Sequence, residues 1–279
     1  MVKISVIVPT YKPEKYIWEC LESIKNQTLD KRLFEVLIIL NGKKGPYFNN
    51  ISEYILKNKL SNFILIYTKK QGVSNARNIG LNKMKGEYVI FLDDDDYFSN
   101  NYLENCLKKT NKNTIVVANN VAFEDGSRNE LKSEKILIKE FNYRTTDLIK
   151  LRKIFSVVWM KMIPINIIDK VRFDTELKNG EDSLFMLKIS NKIKYIEILD
   201  EKTIYYRRVR KNSAYYGEKT IIEIMEIAKK QFKRNIKLLT QKNYSKKLIF
   251  FRILAIFKGV LILIKFNILK NVFCNFFYY

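Results

Sequence analysis

The 279-residue sequence contains no histidine, and this absence narrows the possible chemistry more than any other feature. Histidine is the commonest general base and the commonest transition-metal ligand. A Ser-His-Asp triad, a Cys-His pair and an HExxH zinc site are therefore excluded. Any proton transfer that this chain catalyses must be carried out by carboxylates.

Cysteine, glycine and proline are also scarce, with 3, 9 and 4 residues respectively. The cysteines are odd in number and far apart, which predicts neither a disulfide framework nor a zinc site and indicates a reducing compartment. Few glycines and prolines leave little material for flexible linkers, and the 47% hydrophobic fraction favours a compact globular chain. This length suits one large α/β domain or two small ones.

Acidic residues are outnumbered overall and are absent after Glu226. The chain has 51 Lys and Arg against 29 Asp and Glu, a formal net charge of +22, which favours a polyanionic partner such as nucleic acid or an acidic membrane surface. Basic residues continue in the tail at Lys229, Lys230, Lys233, Arg234, Lys237, Lys242, Lys246, Lys247, Arg252, Lys258, Lys265 and Lys270. The excess of positive charge is therefore concentrated in the C-terminal tail.

Long uninterrupted apolar runs are missing as well. The apolar run 4–8 is too short and too early for a signal peptide, so we expect a cytoplasmic protein. The apolar segment 248–277 is interrupted by basic residues, whereas a spanning helix needs about 20 mostly apolar residues in succession. Aromatic and aliphatic residues recur there with helical spacing at Phe250, Phe251, Leu254, Phe257, Leu261 and Ile264. This pattern predicts a helix lying on the cytoplasmic face of the inner membrane, although a buried helix or an oligomer contact has the same spacing.

Short apolar strands alternate with amphipathic helices in the first 120 residues. Strands are predicted at 4–8, 34–40, 63–67, 88–92 and 114–118, with the first ending at Pro9, and helices at 14–26, 51–57, 74–83 and 101–109. This alternation predicts a parallel sheet with helices on both faces. Ligands of such sheets bind at the carboxyl ends of the strands, where residues 9–11, 40–42 and 93–96 lie.

Four carboxylates, Asp93, Asp94, Asp95 and Asp96, directly follow the fourth strand. Like charges repel at such an edge, and oxygen-only ligands without histidine favour Mg²⁺ or Mn²⁺, with a ligand phosphate completing the shell. The alternative is a solvated acidic turn that caps the helix after Ser99.

Two further segments place polar groups at predicted helix starts. Gly180, Glu181 and Asp182 precede an apolar run, so Asp182 is either a carboxylate available for catalysis or an ordinary N-terminal cap. Residues 72–80 open a helix with a flexible glycine, a capping Ser74 and Arg77, which suits close approach by a phosphate or a base. A plain amphipathic helix has a similar pattern.

In their order along the chain, these pieces resemble the family 2 glycosyltransferases of the GT-A fold. Residues 4–11 are similar to the opening strand and nucleotide loop of that family, and residues 75–80 to its second signature. Residues 91–96 are similar to its Asp-x-Asp metal motif, and residues 180–182 to its catalytic-base motif. The resemblance extends from residue 4 to about 213. It implies a Rossmann-like, mostly parallel sheet flanked by helices, followed by a helical, basic and apolar C-terminal extension.

The resemblance also implies an activity and a set of roles. The chain is expected to be an inverting hexosyltransferase-type enzyme that moves a sugar from a nucleotide-sugar donor, expected to be a UDP-sugar, to a glycan or lipid-linked acceptor. The process would be capsule, lipooligosaccharide or surface-polysaccharide synthesis. Asp182 would be the catalytic base, and Asp95 with Asp93 would hold Mn²⁺ or Mg²⁺. The nucleotide sugar would be contacted by Pro9, Thr10, Tyr11, Asn41, Arg77, Asp93 and Asp94.

One departure from the family concerns the base of the nucleotide. The family usually has an acidic pair after the second strand, and this chain has Leu40 and Asn41 there. The Asn41 amide can still pair with a pyrimidine edge as donor and acceptor, so uridine remains the expected base.

The expected domain organisation is a nucleotide-sugar-binding half at 1–120, an acceptor-binding half at 121–215 and a membrane-associating extension at 216–279. Two tyrosine pairs beside arginines either hold acceptor sugar or diphosphate, or pack at the rim. These residues are Tyr205, Tyr206, Tyr215 and Tyr216, with Arg207, Arg208 and Arg210. The competing hypotheses are a nucleic-acid-binding protein, which leaves the acidic strand end unexplained, and a catalytically inactive transferase-like scaffold. The oligomeric state is open.

Overall fold

The computed structural model describes residues 1–126, 140–210 and 220–276 of the chain. The strands in this part are β1 Ile4–Thr10, β2 Phe34–Asn41, β3 Phe63–Thr68, β4 Tyr88–Phe91, β5 Tyr97–Phe98, β6 Thr114–Val117, β7 Asn119–Glu124, β8 Tyr143–Thr145, β9 Lys161–Pro164, β10 Tyr195–Ile198 and β11 Ile204–Val209. The helices are α1 Tyr16–Lys25, α2 Tyr47–Lys57, α3 Val73–Lys83, α4 Tyr102–Lys109, α5 Ile165–Ile168, α6 Glu181–Ile189, α7 Ile221–Leu239 and α8 Lys246–Phe276.

The main sheet has eight strands in the order β3-β2-β1-β4-β9-β6-β10-β8. Strands β1 to β4 pair in parallel with one another, as the alternation of strands and helices predicts. A smaller sheet, with the order β5-β11-β7, stands beside the end of β4. The α/β fold predicted from the sequence is therefore confirmed, and the carboxyl ends of the first four strands lie at one edge.

The strand β9 is an antiparallel member of this mostly parallel sheet. It lies between β4 and β6 and runs antiparallel to both, so residues from the second half of the chain complete the sheet of the first half. This insertion depends on pairing between residues far apart in sequence, which local periodicity does not report. Strand β9 begins at Lys161, and a turn precedes it.

The first strand also differs from its predicted end. Pro9 lies within β1, opposite Ile39 of β2, and the strand continues to Thr10. Pairing with β4 stops at Ile7, so Pro9 stands where β1 has a strand partner on one side only. Proline is tolerated at such a position because its missing N–H removes little of the ladder.

The core is built from the apolar faces that the sequence pattern predicts. Every residue of β1, β2, β4 and β6 is buried, which is typical of strands covered on both faces. Helix α1 covers the sheet with Ile17, Cys20, Leu21 and Ile24, the spacing of one helical face.

The C-terminal extension is helical, as predicted. Thr220 and Glu223 form a capping box at the start of α7, and α8 packs back along α7. A second apolar cluster joins both helices to α6, through Leu184 and Leu187 on one side and Leu238, Leu248 and Ile249 on the other. In the described part of the chain, no helix is both long enough and apolar enough to span a bilayer.

Candidate active site

The acidic residues after β4 are held in a turn and do not stand free in solvent. Asp96 is 3% exposed, and its carboxylate accepts hydrogen bonds from the Tyr205 hydroxyl, at 2.7 Å, and from the Arg208 backbone N–H, also at 2.7 Å. Asp94 accepts a 2.5 Å hydrogen bond from the Thr10 hydroxyl. The alternative of a solvated turn that caps the next helix is therefore excluded, since α4 has Asn101 at its N-cap and no side-chain capping bond.

Arg77 is the centre of the site. Its guanidinium, with a side chain only 4% exposed, donates to Asp182 at 2.6 Å and to Asp93 at 2.8 Å, and it lies 3.6 Å from Glu181. Helix α3 carries Arg77, β4 leads into Asp93, and α6 begins at Glu181. One buried cation thus joins three segments that the sequence analysis considered separately.

Asp182 is not an N-terminal cap. The N-cap of α6 is Gly180, in the left-handed region with φ 79°, and no side chain caps this helix end. The carboxylate of Asp182 is turned instead towards Arg77, with the side chain 17% exposed. A partly exposed carboxylate beside an acidic cluster is a candidate for the general base that the resemblance predicts.

Burial raises the pKa of several carboxyl groups in the cluster. Burial raises the pKa of Asp182, and so does the neighbouring Asp93. Three groups lower this pKa, namely Arg77, the Val158 N–H and Lys161. Burial and the neighbouring Asp95 raise the pKa of Asp94 to about 7, against the effect of the Thr10 hydrogen bond. Burial lowers the pKa of Arg77, but the three carboxylates around it outweigh that effect, so its pKa is raised. Clustered perturbed groups of this kind are typical of functional sites.

The residues predicted to contact the nucleotide lie around the ends of β1 and β2. Pro9 and Thr10 are buried within β1, and Tyr11 is 38% exposed just beyond it. Asn41 is 2% exposed, donates from its amide to the Thr10 carbonyl at 2.7 Å and accepts from the Gly72 N–H at 2.9 Å. Asn41 thus ties the end of β1 to the loop that opens α3, using one of its two amide hydrogens.

The arginine-tyrosine segment of β11 closes the other side of the acidic turn. Arg210 pairs with Asp95 at 2.6 Å, and its guanidinium lies 4.5 Å from the Tyr16 ring centroid. Arg208 pairs with Glu19 and Asp125. Tyr205 is 0% exposed, so the expectation that it contacts acceptor sugar or lies at the rim is wrong, because it packs inside and supports Asp96. Tyr215 and Tyr216 lie outside the described residues.

The donor set fits a hard divalent cation. Asp93 and Asp95 offer carboxylate oxygens without sulfur or imidazole, and Mg²⁺ is usually bound by one or two carboxylates plus substrate phosphates. Within the described ranges, no three Asp, Glu, Cys or His residues converge on a common metal position. Two protein carboxylates with phosphate oxygens from a donor therefore remain the arrangement that these residues can provide.

Sequence reasoning missed several residues of the site. No role was predicted for Glu181, yet its carboxylate lies 3.6 Å from the Arg77 guanidinium. Burial raises the pKa of Glu181 to about 7. Lys161 was not considered in the sequence analysis, and it is fully buried near Asp182. A lysine among apolar residues at a strand start was the one available signal for this position.

Ser74 was predicted to cap the third helix, and this expectation is wrong. Gly72 occupies the N-cap of α3, and the buried Ser74 hydroxyl has no hydrogen-bond partner among the described residues. Since Gly72 has φ 129°, the chain already turns into the helix two residues before Ser74.

A mostly parallel sheet of this order, with an acidic turn after β4 and the start of α6 converging on it, defines the GT-A class of α/β folds. Comparison with known proteins agrees with this assignment. The family model described as Glycosyl transferase family 2 matches residues 5–171, and the chain belongs to this family.

Two relatives and one solved structure illustrate the similarity. The poly(ribitol-phosphate) beta-N-acetylglucosaminyltransferase TarS of Staphylococcus aureus is 28% identical over 236 residues, which cover 81% of this chain and 40% of TarS. The glycosyltransferase GlyA of Streptococcus pneumoniae is 31% identical over 230 residues, which cover 76% of this chain and 31% of GlyA. The crystal structure of TarS residues 1–349 in complex with UDP-GlcNAc superposes with a TM-score of 0.71 at 25% identity, covering 86% of this chain and 68% of that one. The chain thus spans less than half the length of these curated relatives.

Proposed function

We propose that this chain is an inverting glycosyltransferase that transfers a sugar from a UDP-sugar to a glycan or lipid-linked acceptor in surface-polysaccharide synthesis. The observation that carries the proposal is the bridge that Arg77 makes between Asp182 and Asp93. It joins the base motif, the acidic turn and the second signature in one cluster. The binding of UDP-GlcNAc and of UDP by TarS supports a uridine donor.

The reaction is a single displacement. Asp182 accepts the proton of an acceptor hydroxyl while that oxygen forms its bond to the anomeric carbon, and the bond between this carbon and the diphosphate oxygen breaks. Attack from the side opposite the leaving group inverts the configuration. A positioned base contributes roughly 10²–10⁴-fold to the rate, and a raised pKa makes Asp182 a stronger base than a free aspartate.

The remaining residues bind and orient the donor. The nucleotide is contacted at the ends of β1 and β2 by Pro9, Thr10, Tyr11 and Asn41. Arg77 and Asp94 position the diphosphate of the donor. Asp93 and Asp95 would hold Mn²⁺ or Mg²⁺. Such an ion supplies electrostatic stabilisation of the charge that develops on the departing diphosphate. Residues 1–120 then form the donor half, and residues 121–215 the acceptor half.

The C-terminal extension, residues 216–279, is proposed to hold the enzyme on the cytoplasmic face of the inner membrane. Of the apolar residues predicted to face lipid, Phe250, Leu254, Phe257 and Leu261 are exposed by 45% to 69%. No acidic residue follows Glu226, whereas twelve basic residues do, so this surface complements anionic headgroups. A membrane position suits a lipid-linked acceptor.

A thermal-shift experiment tests the donor site. The purified protein is heated with a panel of nucleotides and nucleotide sugars, with and without Mn²⁺, and the panel is repeated on Asp95→Ala. A metal-dependent shift with uridine donors that disappears in Asp95→Ala is expected, while Asp169→Ala, an exposed aspartate paired with Lys192, serves as the control. Absence of a shift with every nucleotide would overturn the proposal and favour the inactive scaffold.

The role of Asp182 is tested separately. Asp182→Asn should abolish release of the nucleotide product while the donor-induced thermal shift stays near the wild-type value. A loss of donor affinity as large as the loss of rate would contradict a role confined to proton transfer.

A further inference from the structure

A buried lysine stands at the start of β9, next to the site. The side chain of Lys161 is 0% exposed, and its ammonium donates to the Trp159 carbonyl oxygen at 3.2 Å. No carboxylate in the described part of the chain lies within ion-pair distance of it, and its Nζ is 5.8 Å from the centroid of the Phe155 ring. Burial lowers the pKa of Lys161 to about 7, although the nearby Asp182 raises it. Burying an ammonium is costly, and an apolar side chain of similar length would fill the same space. The lysine therefore calls for an explanation beyond packing.

The hydrogen bond of Lys161 closes a strained turn at residues 158–160. Met160 is fully buried and has φ 56°, in the left-handed region that a non-glycine residue seldom adopts. On the other side of the turn, the Ala118 N–H donates to the Met160 carbonyl at 3.0 Å. Strained backbone persists where the surroundings fix it, and here the Lys161 ammonium and the end of β6 do so.

This turn contacts the site from two directions. The segment Ile154–Ser156, which leads into the turn, packs against α6, the helix that carries Asp182. The Val158 N–H also lowers the pKa of Asp182. The Trp159 ring stacks on Tyr205, with ring centroids 5.1 Å apart. The Tyr205 hydroxyl in turn donates to Asp96 at 2.7 Å and accepts from the Asp93 N–H at 3.3 Å. One turn thus supports both the base and the acidic segment.

We infer that Lys161 is a positioning residue of the transfer site: its ammonium holds the turn 158–160, and this turn fixes Asp182 relative to the acidic segment. The inference rests on the proposed function, because Lys161 affects turnover through Asp182. The ammonium touches no reacting atom. Its removal is expected to impair the chemical step while the donor loop around Thr10 and Asn41 keeps its structure.

The test compares Lys161→Met, Lys161→Arg and Asp182→Asn in steady-state assays of nucleotide release. Lys161→Met keeps the length of the side chain but removes its charge and its donors. It should lower kcat on the order of 10²-fold, the effect of a small misplacement of catalytic groups, with a smaller change in the donor KM. Lys161→Arg keeps a cation and a donor and should recover part of the loss. Lys188→Met is the control, because Lys188 lies on α6 with Asp182 but interacts with Asp174 and Arg234.

The outcomes separate this inference from the proposed function. Wild-type kcat in Lys161→Met, with Asp182→Asn inactive, would overturn the inference alone, as would a loss in Lys161→Met that lies entirely in the donor KM. Wild-type kcat in Asp182→Asn would overturn both the base and the positioning role. If Lys161→Met does not yield folded protein, Lys161→Gln, which keeps a neutral donor, is used for the same comparison.

Discussion

At the residue scale, we expect Arg77 and the carboxylates around it to determine both the stability and the activity of the site. Arg77→Met would leave the largely buried Asp182 and Glu181, and the partly exposed Asp93, without their cation. Loss of one partner from a buried ion pair typically costs about 3–5 kcal/mol. Urea unfolding should show this loss. The matched control is Arg32→Met, which removes an exposed pair with Asp30 and should cost no more than about 1 kcal/mol. Equal losses in the two variants would contradict the central role of Arg77.

The pKa of Asp182 leads to a second prediction at this scale. Because burial raises the pKa of this group, protonation removes the base at pH values where a free aspartate is still ionised. The kcat/KM value should therefore fall as the pH is lowered, and the midpoint of this fall should lie above the ordinary aspartate pKa of 3.8. A pH profile of kcat/KM checks this. A limb at the ordinary value would show that Asp182 is not the group that titrates.

At the scale of elements, the loop before α6 links the segment that carries Asp182 to the C-terminal extension. Gly180 has φ 79°, and a Cβ atom placed there would lie 2.7 Å from the Gln231 side chain of α7. The Gln231 amide also donates a hydrogen bond to the Asn179 carbonyl at 2.8 Å. The extension therefore packs directly against the segment that places Asp182. A change in α7 can reach the active site through this contact.

Gly180→Ala tests this coupling against a matched glycine. Gly126 has φ 80° and open space around its Cα, so Gly126→Ala should cost only the backbone strain of about 1–2 kcal/mol. Gly180→Ala should add about 1–3 kcal/mol of overpacking and lower kcat as well. Thermal unfolding and steady-state kinetics measure the two effects. Similar behaviour of the two variants would show that the contact with α7 does not matter.

The elements also show how far the sequence could be interpreted. Local periodicity predicted the first four strands and the helices between them because each has its own apolar pattern. The place of β9 between β4 and β6 could not be predicted, since it depends on pairing between distant segments. For the same reason, the bond between Arg77 and Asp182, 105 residues apart, was not inferred from either motif alone. Tyr205 was misplaced because its neighbours in β11 are only half-buried, so the pattern gave no sign of a core position.

At the scale of the whole molecule, charge and apolar surface are divided between two regions. The carboxylates that matter for the reaction lie within the main domain, whereas the C-terminal helices carry basic residues and a row of exposed apolar side chains. The apolar cluster with Leu248 and Ile249 fixes one side of α8 to the protein. The opposite side, with Phe250, Phe257 and Leu261, is left facing outwards.

This division predicts selective binding to anionic bilayers. Replacement of Phe250, Phe257 and Leu261 by serine should strongly reduce co-sedimentation with vesicles that contain phosphatidylglycerol, because each residue loses apolar area that would enter the interface. The wild-type protein should bind phosphatidylcholine vesicles weakly and should be released from anionic ones by salt, since Lys and Arg supply the electrostatic part. Leu56→Ser on α2, where Leu56 is 76% exposed, is the control and should bind as the wild type does. If the triple variant still sediments with anionic vesicles, the apolar face does not contact lipid. A wild-type protein that binds neither vesicle but forms a dimer that the triple variant loses would identify this face as a contact between copies of the chain.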